Sequence, residues 1–489
     1  MSLSSCLQLQ FFTWDAKHND MSWWRHFEAE IPNLAEMGFT QVWLPPPNKG
    51  ENQNGRGYDA YDLWDLGEFD QKGTVRTRWG TREELLRACQ VATAHGIDIL
   101  IDAVLNHKLG ADRFESFPAV PVNSQNRLKD EGPAREIDGW TAFDFKGRGN
   151  KYSSFRWTHE HFTGLDWDHR TRTNAIYRIA SQGRQGWSQN VDKELGNYDY
   201  LLGVDITGIR TDVQKDLLDW GVWILETTGA TGFRLDAIKH IDHRFLLRFI
   251  THAQKQSGKP QMFSVSEYWS ADLKLILPYI KAFRGETAFF DVPLHANFHD
   301  ASKHHSQYDL RNILNNTIVK TKPKDAVTFV DNHDTVIGQS LESWVDTNFK
   351  VQAYSLILLR PDGHPCVFYG DLYPNEECYN ETVSRNLTLL IEARKKFAYG
   401  ACQDYLLDHH CIGFVRMGDS RHPGCAVLLS NKEEVDNFTH TIRMFVGREH
   451  AGSTFRGFMS EDSSRVEIDT DGWGAFSCPP NRVQVWVKA

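Results

Sequence analysis

Apolar and polar positions along the chain keep two rhythms in turn. Residues 7–12 and 40–44 are strand-like, and between them Trp23 to Met37 reads as a helix ending at Gly38. Thr81-Arg-Glu-Glu84 has the form of a capping box ahead of Leu85, Leu86, Cys89 and Ala92, and Gly96 is placed to end that helix. Residues 97–104 then form a nearly unbroken apolar run, the mark of a strand buried on both faces. Strands alternating with helices in this order predict a parallel sheet with right-handed crossovers.

From 106 to 207 the rhythm stops, and the chain is polar and rich in Gly, Asp, Asn and Trp. So long a stretch without regular helices predicts an inserted irregular or β domain. The rhythm then resumes. Val213, Leu217, Trp220 and Ile224 share one helical face that stops at Gly229. Strand candidates follow at 232–236, 262–266, 288–291, 327–330 and 366–369. With the first three they make eight, the count of a (β/α)8 TIM barrel interrupted after its third strand. Beyond 397 the texture changes to short apolar runs at 411–415, 424–429, 441–446, 465–468 and 483–487, split by turn residues. The expected organisation is a barrel over 1–105 and 208–396, an insert over 106–207 and a C-terminal β-sandwich over 397–489.

Composition narrows the partners. With 54 basic and 64 acidic residues the net charge is −10, which leaves no basic footprint for nucleic acid or an anionic membrane surface. No apolar run reaches the length of a membrane span. The first dozen residues lack a basic segment leading into an apolar one, so the expected location is cytoplasmic. The eight cysteines, without CxxC pairs, read as free thiols. Glycosylation-type triplets start at Asn315, Asn380, Asn386 and Asn437 and, without an export signal, decide nothing. Sixteen Trp, 15 Tyr and 29 Phe suit either a large core or a cleft for sugars, whose apolar ring faces pack on aromatic side chains.

The candidate chemistry sits at strand ends. Asp102, Asp236, Glu267 and the segment Asp331-Asn-His-Asp334 each close a predicted barrel strand. A single carboxylate there commonly caps the next helix. In a barrel, however, all C-terminal strand ends face one mouth, and several acids converging on it would repel one another without a purpose. Arg234 and Asp236, two apart on a strand, emerge on one face, where the guanidinium favours an ionised nucleophile. Glu267, after Met262, Phe263 and Val265, is expected to be desolvated and raised in pKa, as suits a general acid. Two carboxyls of opposite duty are the logic of glycoside hydrolysis. His107 and His333 read as hydroxyl-binding partners.

Four segments carry a resemblance: Asp102-Ala-Val-Leu-Asn-His107, Gly232-Phe-Arg-Leu-Asp-Ala-Ile-Lys-His240, Ser264-Val-Ser-Glu-Tyr-Trp269 and Phe329-Val-Asp-Asn-His-Asp334. In this order they resemble the hallmark segments of the α-amylase family of glycoside hydrolases. Further stretches such as Gly57 to Phe69 and Gly196 to Tyr200 are similar to bacterial liquefying and intracellular fungal members. The resemblance implies Asp236 as nucleophile, Glu267 as acid/base and Asp334 as stabiliser. It also implies that Arg234, His107, His333 and Tyr58 line the reacting sugar, and that Lys239, His240 and Trp269 lie on the leaving-group side. It further implies one structural Ca²⁺ between barrel and insert, on Asn106, Asp199, Asp205 and the His240 carbonyl. Thr163, Ser188 and Thr207 stand where the liquefying enzymes carry aspartates of a second cation cluster. A single Ca²⁺ and lower thermal stability are therefore expected. The implied activity is retaining, endo-acting hydrolysis of α-1,4-glucosidic bonds in soluble glucans by a monomer. A 4-α-glucanotransferase using the same carboxylates is the alternative, and a non-catalytic glucan binder is disfavoured because all three acids are present.

Overall fold

In the computed structural model, residues 6–180, 186–259, 261–433, 439–459 and 464–489 are described. Asn437, which starts one of the triplets, lies outside them. Eight parallel strands close a barrel in chain order: β1 (Gln8–Gln10), β2 (Gln41–Trp43), β3 (Asp98–Ala103), β4 (Gly232–Leu235), β5 (Phe263–Ser266), β6 (Ala288–Phe290), β7 (Ala326–Phe329) and β8 (His364–Phe368). β8 returns to pair with β1, register Gln8↔Cys366. All eight predicted strands are present, trimmed or shifted by a few residues. The predicted helices form as well. Ser22 caps Trp23–Met37, Thr81 and Glu84 make the reciprocal capping box of Arg82–Ala94, and Gly229 ends Thr211–Thr228 in the left-handed region at φ 74°.

Local sequence fixes the strand that carries most of the chemistry. A Cβ on Gly232 would lie 1.5 Å from the Phe263 carbonyl oxygen, so only glycine lets β4 and β5 approach at this point. β4 pairs β3 with Arg234 opposite Asp102, and β5 with Leu235 opposite Ser266. Immediately after β4, Ala237 is left-handed at φ 49°, an uncommon state for a residue with a Cβ. It turns the chain so that the Ala237 N–H meets the Glu267 side chain, while the Ile238 N–H reaches the Glu267 carbonyl at 3.0 Å.

Between β3 and β4 the chain builds an antiparallel sheet rather than a loose excursion. It runs His107–Lys108, Val204–Ile206, Phe162–Asp168, Thr173–Ile179 and Arg113–Asn123, the last also paired with Asn126–Asp130 and Arg135–Ala142. The C-terminal part holds a six-stranded sheet and the pair His440–Phe445/Trp473–Cys478, with Leu428, Met444, Phe476 and Trp486 buried together. Three of its strands, Cys402–Tyr405, Thr454–Gly457 and Trp473–Cys478, were not foreseen from the pattern. Asn431 ties this part to the barrel, donating from Nδ2 to the carbonyls of His305 (2.8 Å) and Tyr308 (2.7 Å). Among the described residues no helix is long and apolar enough to cross a membrane.

Candidate active site

The C-terminal ends of β3, β4, β5 and β7 open into a cleft of about 1010 Å³. Arg234 lies beneath its floor, 1 % exposed at the side chain, and organises the acids around it. Its Nη1 donates to Asp102 Oδ1 at 2.9 Å and to Asp236 Oδ1 at 2.5 Å, and its Nη2 lies 2.9 Å from Glu267 Oε1. Sequence spacing predicted the Asp236 contact; the other two arise because β3 and β5 flank β4. Asp102 is fully buried and also accepts from Trp43 Nε1 (2.8 Å) and the Tyr58 hydroxyl (2.7 Å). Glu267 Oε2 accepts from the Ala237 N–H at 3.0 Å.

One guanidinium cannot neutralise Asp102, Asp236, Glu267 and Asp334 together, and the titration behaviour follows from that shortage. Burial lifts Asp102 to about 7 against the pull of Arg234. Glu267 is raised by burial, opposed by Arg234 and reinforced by the charge of Asp236. Asp334 is driven well above the carboxylate range by burial and by the charge of Glu267.

The imidazoles are buried and neutral. Burial lowers His107 to about 4, and its Nε2–H donates to the Tyr58 carbonyl at 2.8 Å. His333 is driven well below 6.5 by burial and by the nearby Arg234. Its ring stacks on Tyr58 at 5.2 Å, and Trp14 stacks on both at 5.8 Å. The three near-parallel rings form an aromatic wall. Trp14 is a cleft residue that sequence reasoning missed, because it stands alone in the loop after β1 with no periodic pattern around it. Its carbonyl accepts from Arg56 Nε at 2.9 Å, and the guanidinium lies 4.9 Å from its ring centre.

On the opposite side, Lys239 Nζ bonds Glu194 Oε2 (2.7 Å) and the Trp269 carbonyl (3.3 Å). His240 donates from Nδ1 to the Tyr198 carbonyl at 2.7 Å. Apart from Arg234, every residue named from the sequence as catalytic or sugar-binding lines the cleft. Of the residues named for a metal, His240 lines the cleft, while Asn106, Asp199 and Asp205 are buried outside its lining. The Ile206 N–H bonds the Asn106 carbonyl at 2.8 Å, Asp205 pairs with His107 across the insert's sheet, and Asp199 Oδ2 accepts from the Ser188 N–H at 2.9 Å. Thr163 donates its hydroxyl to Asp205 Oδ2, while the buried Oδ1 of Asp205 has no hydrogen-bond partner.

The turn 331–335, which carries His333 and Asp334, is closed by Asn332 Oδ1 accepting from the N–H groups of Asp334 (2.8 Å) and Thr335 (3.0 Å). It is anchored from below. Asp331 accepts from the Thr335 hydroxyl at 2.8 Å and bonds Lys350 Nζ at 2.8 Å. Lys350 also bonds Asp371 at 2.9 Å, and the Tyr354 hydroxyl donates to Asp371 at 2.6 Å. Neither Lys350 nor the two aspartates drew notice in the sequence as a unit.

An acid biased toward its protonated form, sharing a guanidinium with a second carboxylate at the mouth of a parallel barrel, is equipment for breaking an acetal beneath an aromatic wall. That chemistry on this fold defines a barrel glycoside hydrolase. Known proteins narrow the class. The description "Alpha amylase, catalytic domain" matches residues 28–387, and "Alpha-amylase C-terminal" matches 439–487. The glucan 1,4-alpha-maltohexaosidase of Bacillus sp. (strain 707) is 44 % identical over 483 residues, covering 98 % of this chain and 92 % of that protein. The cytoplasmic alpha-amylase of Escherichia coli (strain K12) is 38 % identical over 477 residues, covering 95 % of each. Among solved structures, the Geobacillus thermoleovorans alpha-amylase complexed with acarbose shares the fold at a TM-score of 0.66 and 17 % identity, covering 100 % of this chain and 99 % of that one. The chain belongs to the α-amylase family.

Proposed function

We propose that the protein is a retaining, endo-acting α-amylase that hydrolyses α-1,4-glucosidic bonds in soluble α-glucans such as starch, glycogen and maltodextrins. The observation that carries this reading is the single Arg234 guanidinium bonded to both Asp236 and Glu267. Such bridging favours the short carboxyl separation of retaining enzymes, about 5–5.5 Å, over the wider gap that admits a water between the two acids. Asp236 attacks the anomeric carbon while Glu267, whose pKa burial raises, gives a proton to the departing oxygen. Water deprotonated by Glu267 then releases the glucan with its α configuration retained. Asp334 and His333 bind ring hydroxyls as the sugar flattens, and Tyr58 and Trp14 hold its apolar face.

One structural Ca²⁺ completes the reading, held by Asn106, Asp199, Asp205 and the carbonyl of His240. What supports it is two buried aspartates side by side, with Asp205 Oδ1 lacking a hydrogen-bond partner. Burial lifts Asp199 to about 6, and burial together with the charge of Asp199 lifts Asp205 well above the usual range. Hard oxygen donors from separate segments suit Ca²⁺, which would supply cross-linking of barrel and insert rather than chemistry. Cytoplasmic location, a monomeric state and the boundaries 106–207 and 397–489 belong to the same proposal.

A proton NMR time course with maltoheptaose and Ca²⁺ tests the function. A net rise in reducing ends, appearing first as the α-anomer, is expected. Redistribution into longer and shorter chains without new reducing ends would make the enzyme a 4-α-glucanotransferase instead.

A further inference from the structure

The apolar alternation of β1 contains an anomaly. Leu7, Leu9 and Phe11 are buried, yet the alternating positions Gln8 and Gln10 are 0 % and 1 % exposed. A buried amide is costly unless its hydrogen bonds are met. Gln8 meets only half of this need within the barrel wall, donating from Nε2 to Gln41 Oε1 while its own Oε1 stays without a partner. Gln10 turns to the catalytic turn, and its Nε2 lies 2.9 Å from His333 Nδ1. The same Nε2 lies 3.4 Å from the Phe12 carbonyl oxygen, which can only accept, so this atom is the amide nitrogen and not the amide oxygen. One amide hydrogen goes to Phe12 and the other to His333. The His333 Nδ1 must then be an unprotonated acceptor, and a neutral ring so held carries its proton on Nε2. That Nε2 lies 3.3 Å from Asp334 Oδ2. The remaining surroundings of the ring are Trp14, Phe12, Trp43 and Tyr58, with Arg234 as the nearby cation.

We propose that Gln10 is a positioning residue that sets the tautomer of His333, fixing Nε2–H as a donor aimed at Asp334 and the sugar hydroxyls beside it. A wrong tautomer would present a lone pair where Asp334 Oδ2 and the sugar hydroxyl oxygens call for a donor, and that donated hydrogen bond would be lost. The part of this inference that concerns catalysis rests on the amylase reading; the tautomer itself does not.

The experiment therefore has two arms. In ¹⁵N-histidine-labelled protein, with His333 assigned by its loss in His333→Asn, two-bond ¹⁵N–¹H spectra report which ring nitrogen carries the proton. The expected result is Nε2 protonated and Nδ1 bare. A bare Nε2 or an imidazolium at neutral pH overturns the proposal, whatever the enzyme acts on. In the second arm Gln10→Met, which keeps length but removes the donor, is compared with Gln8→Met on the same strand. Gln10→Met should mix the tautomers and lower kcat on maltoheptaose about 3- to 10-fold, the cost of losing a hydrogen bond between neutral groups, with KM little changed. Gln8→Met should leave both tautomer and kcat near wild type. Equal kcat losses in the two variants, or an unmixed tautomer in folded Gln10→Met, would refute the positioning role. A wild-type protein with the expected tautomer but no activity on maltoheptaose would fault the functional reading alone.

Discussion

Replacing Lys350 with Met tests whether the turn 331–335 is held by buried charge. Lys350 is 1 % exposed at the side chain and bonds Asp331 and Asp371, themselves 0 % and 2 % exposed, with its ammonium 2.9 Å from the centre of the Trp344 ring. Lys350→Met would strand two carboxylates in a site that excludes water. Breaking a buried pair in this way costs about 3–5 kcal/mol. For a chain of this length unfolding as one unit the entropy of unfolding is about 1 kcal/mol/K, so Tm should fall by about 3–5 °C. The loss must depend on pH. Asp331 is already lifted to about 7, chiefly by burial, with Lys350 pulling it down, so removing the lysine raises it further. A carboxyl raised in the folded state favours folding most below its unfolded value, about 3.9, and that advantage is lost as pH climbs through the folded value. Wild type ionises Asp331 as pH climbs through about 7 and the variant resists, so the gap in Tm should be constant below about pH 6 and widen from there upward. Adding Asp331→Asn to Lys350→Met removes one stranded charge and should recover part of the loss. Thermal unfolding followed by circular dichroism on both sides of that pH provides the measurement. A Lys350→Met protein within 1 °C (~1 kcal/mol) of wild type near pH 8, or a deficit constant with pH, would refute the reasoning.

Glu267→Gln should lower kcat by at least about 10²–10⁴-fold while maltodextrin binding, read by calorimetry, survives. The alkaline limb of the wild-type kcat/KM profile should have an apparent pKa above 4.5, because the acid must stay protonated and burial raises it. Chelation with EGTA should lower Tm by an amount that Ca²⁺ restores with a stoichiometry of one; at a concentration 100-fold over Kd the contribution is about 2.7 kcal/mol, and Asp205→Asn should abolish the response. Trp14→Ala should raise KM for maltoheptaose about 2- to 10-fold with a smaller effect on kcat, the worth of one aromatic contact of about 0.5–1.5 kcal/mol, checked by steady-state kinetics.

Where one physical signal dominated, the sequence was readable. The run at 97–104 could only be a strand buried on both faces, and β3 is Asp98–Ala103. The capping box at Thr81 and the glycine at 229 mark helix ends through local hydrogen bonds and a left-handed turn, which tertiary packing did not override. The insert was harder to read. Its longest strand, Arg113–Asn123, buries Phe117, Ala119, Val120 and Val122, but Phe114 and the partner strand's Trp140 are exposed, and Pro118 and Pro121 interrupt the alternation. Aromatic rings on both faces erase the period-two signal that would have revealed a sheet. At the site, spacing along β4 was enough to pair Arg234 with Asp236. The contacts to Asp102 and Glu267, the ring of Trp14 and the Asp331–Lys350–Asp371 anchor all join residues distant in the chain, and no local pattern encodes them.

The single guanidinium among Asp102, Asp236, Glu267 and Asp334 also decides what should block the enzyme. Where these acids share one guanidinium, any further ionisation adds negative charge that a cation offsets and an anion aggravates. Sugar mimics bearing a protonated nitrogen where the ring oxygen or the glycosidic oxygen would sit should therefore outbind their neutral counterparts, and sulfated or carboxylated mimics should bind worse than either. Raised salt should leave that ranking intact, since the charges lie below the reach of bulk screening.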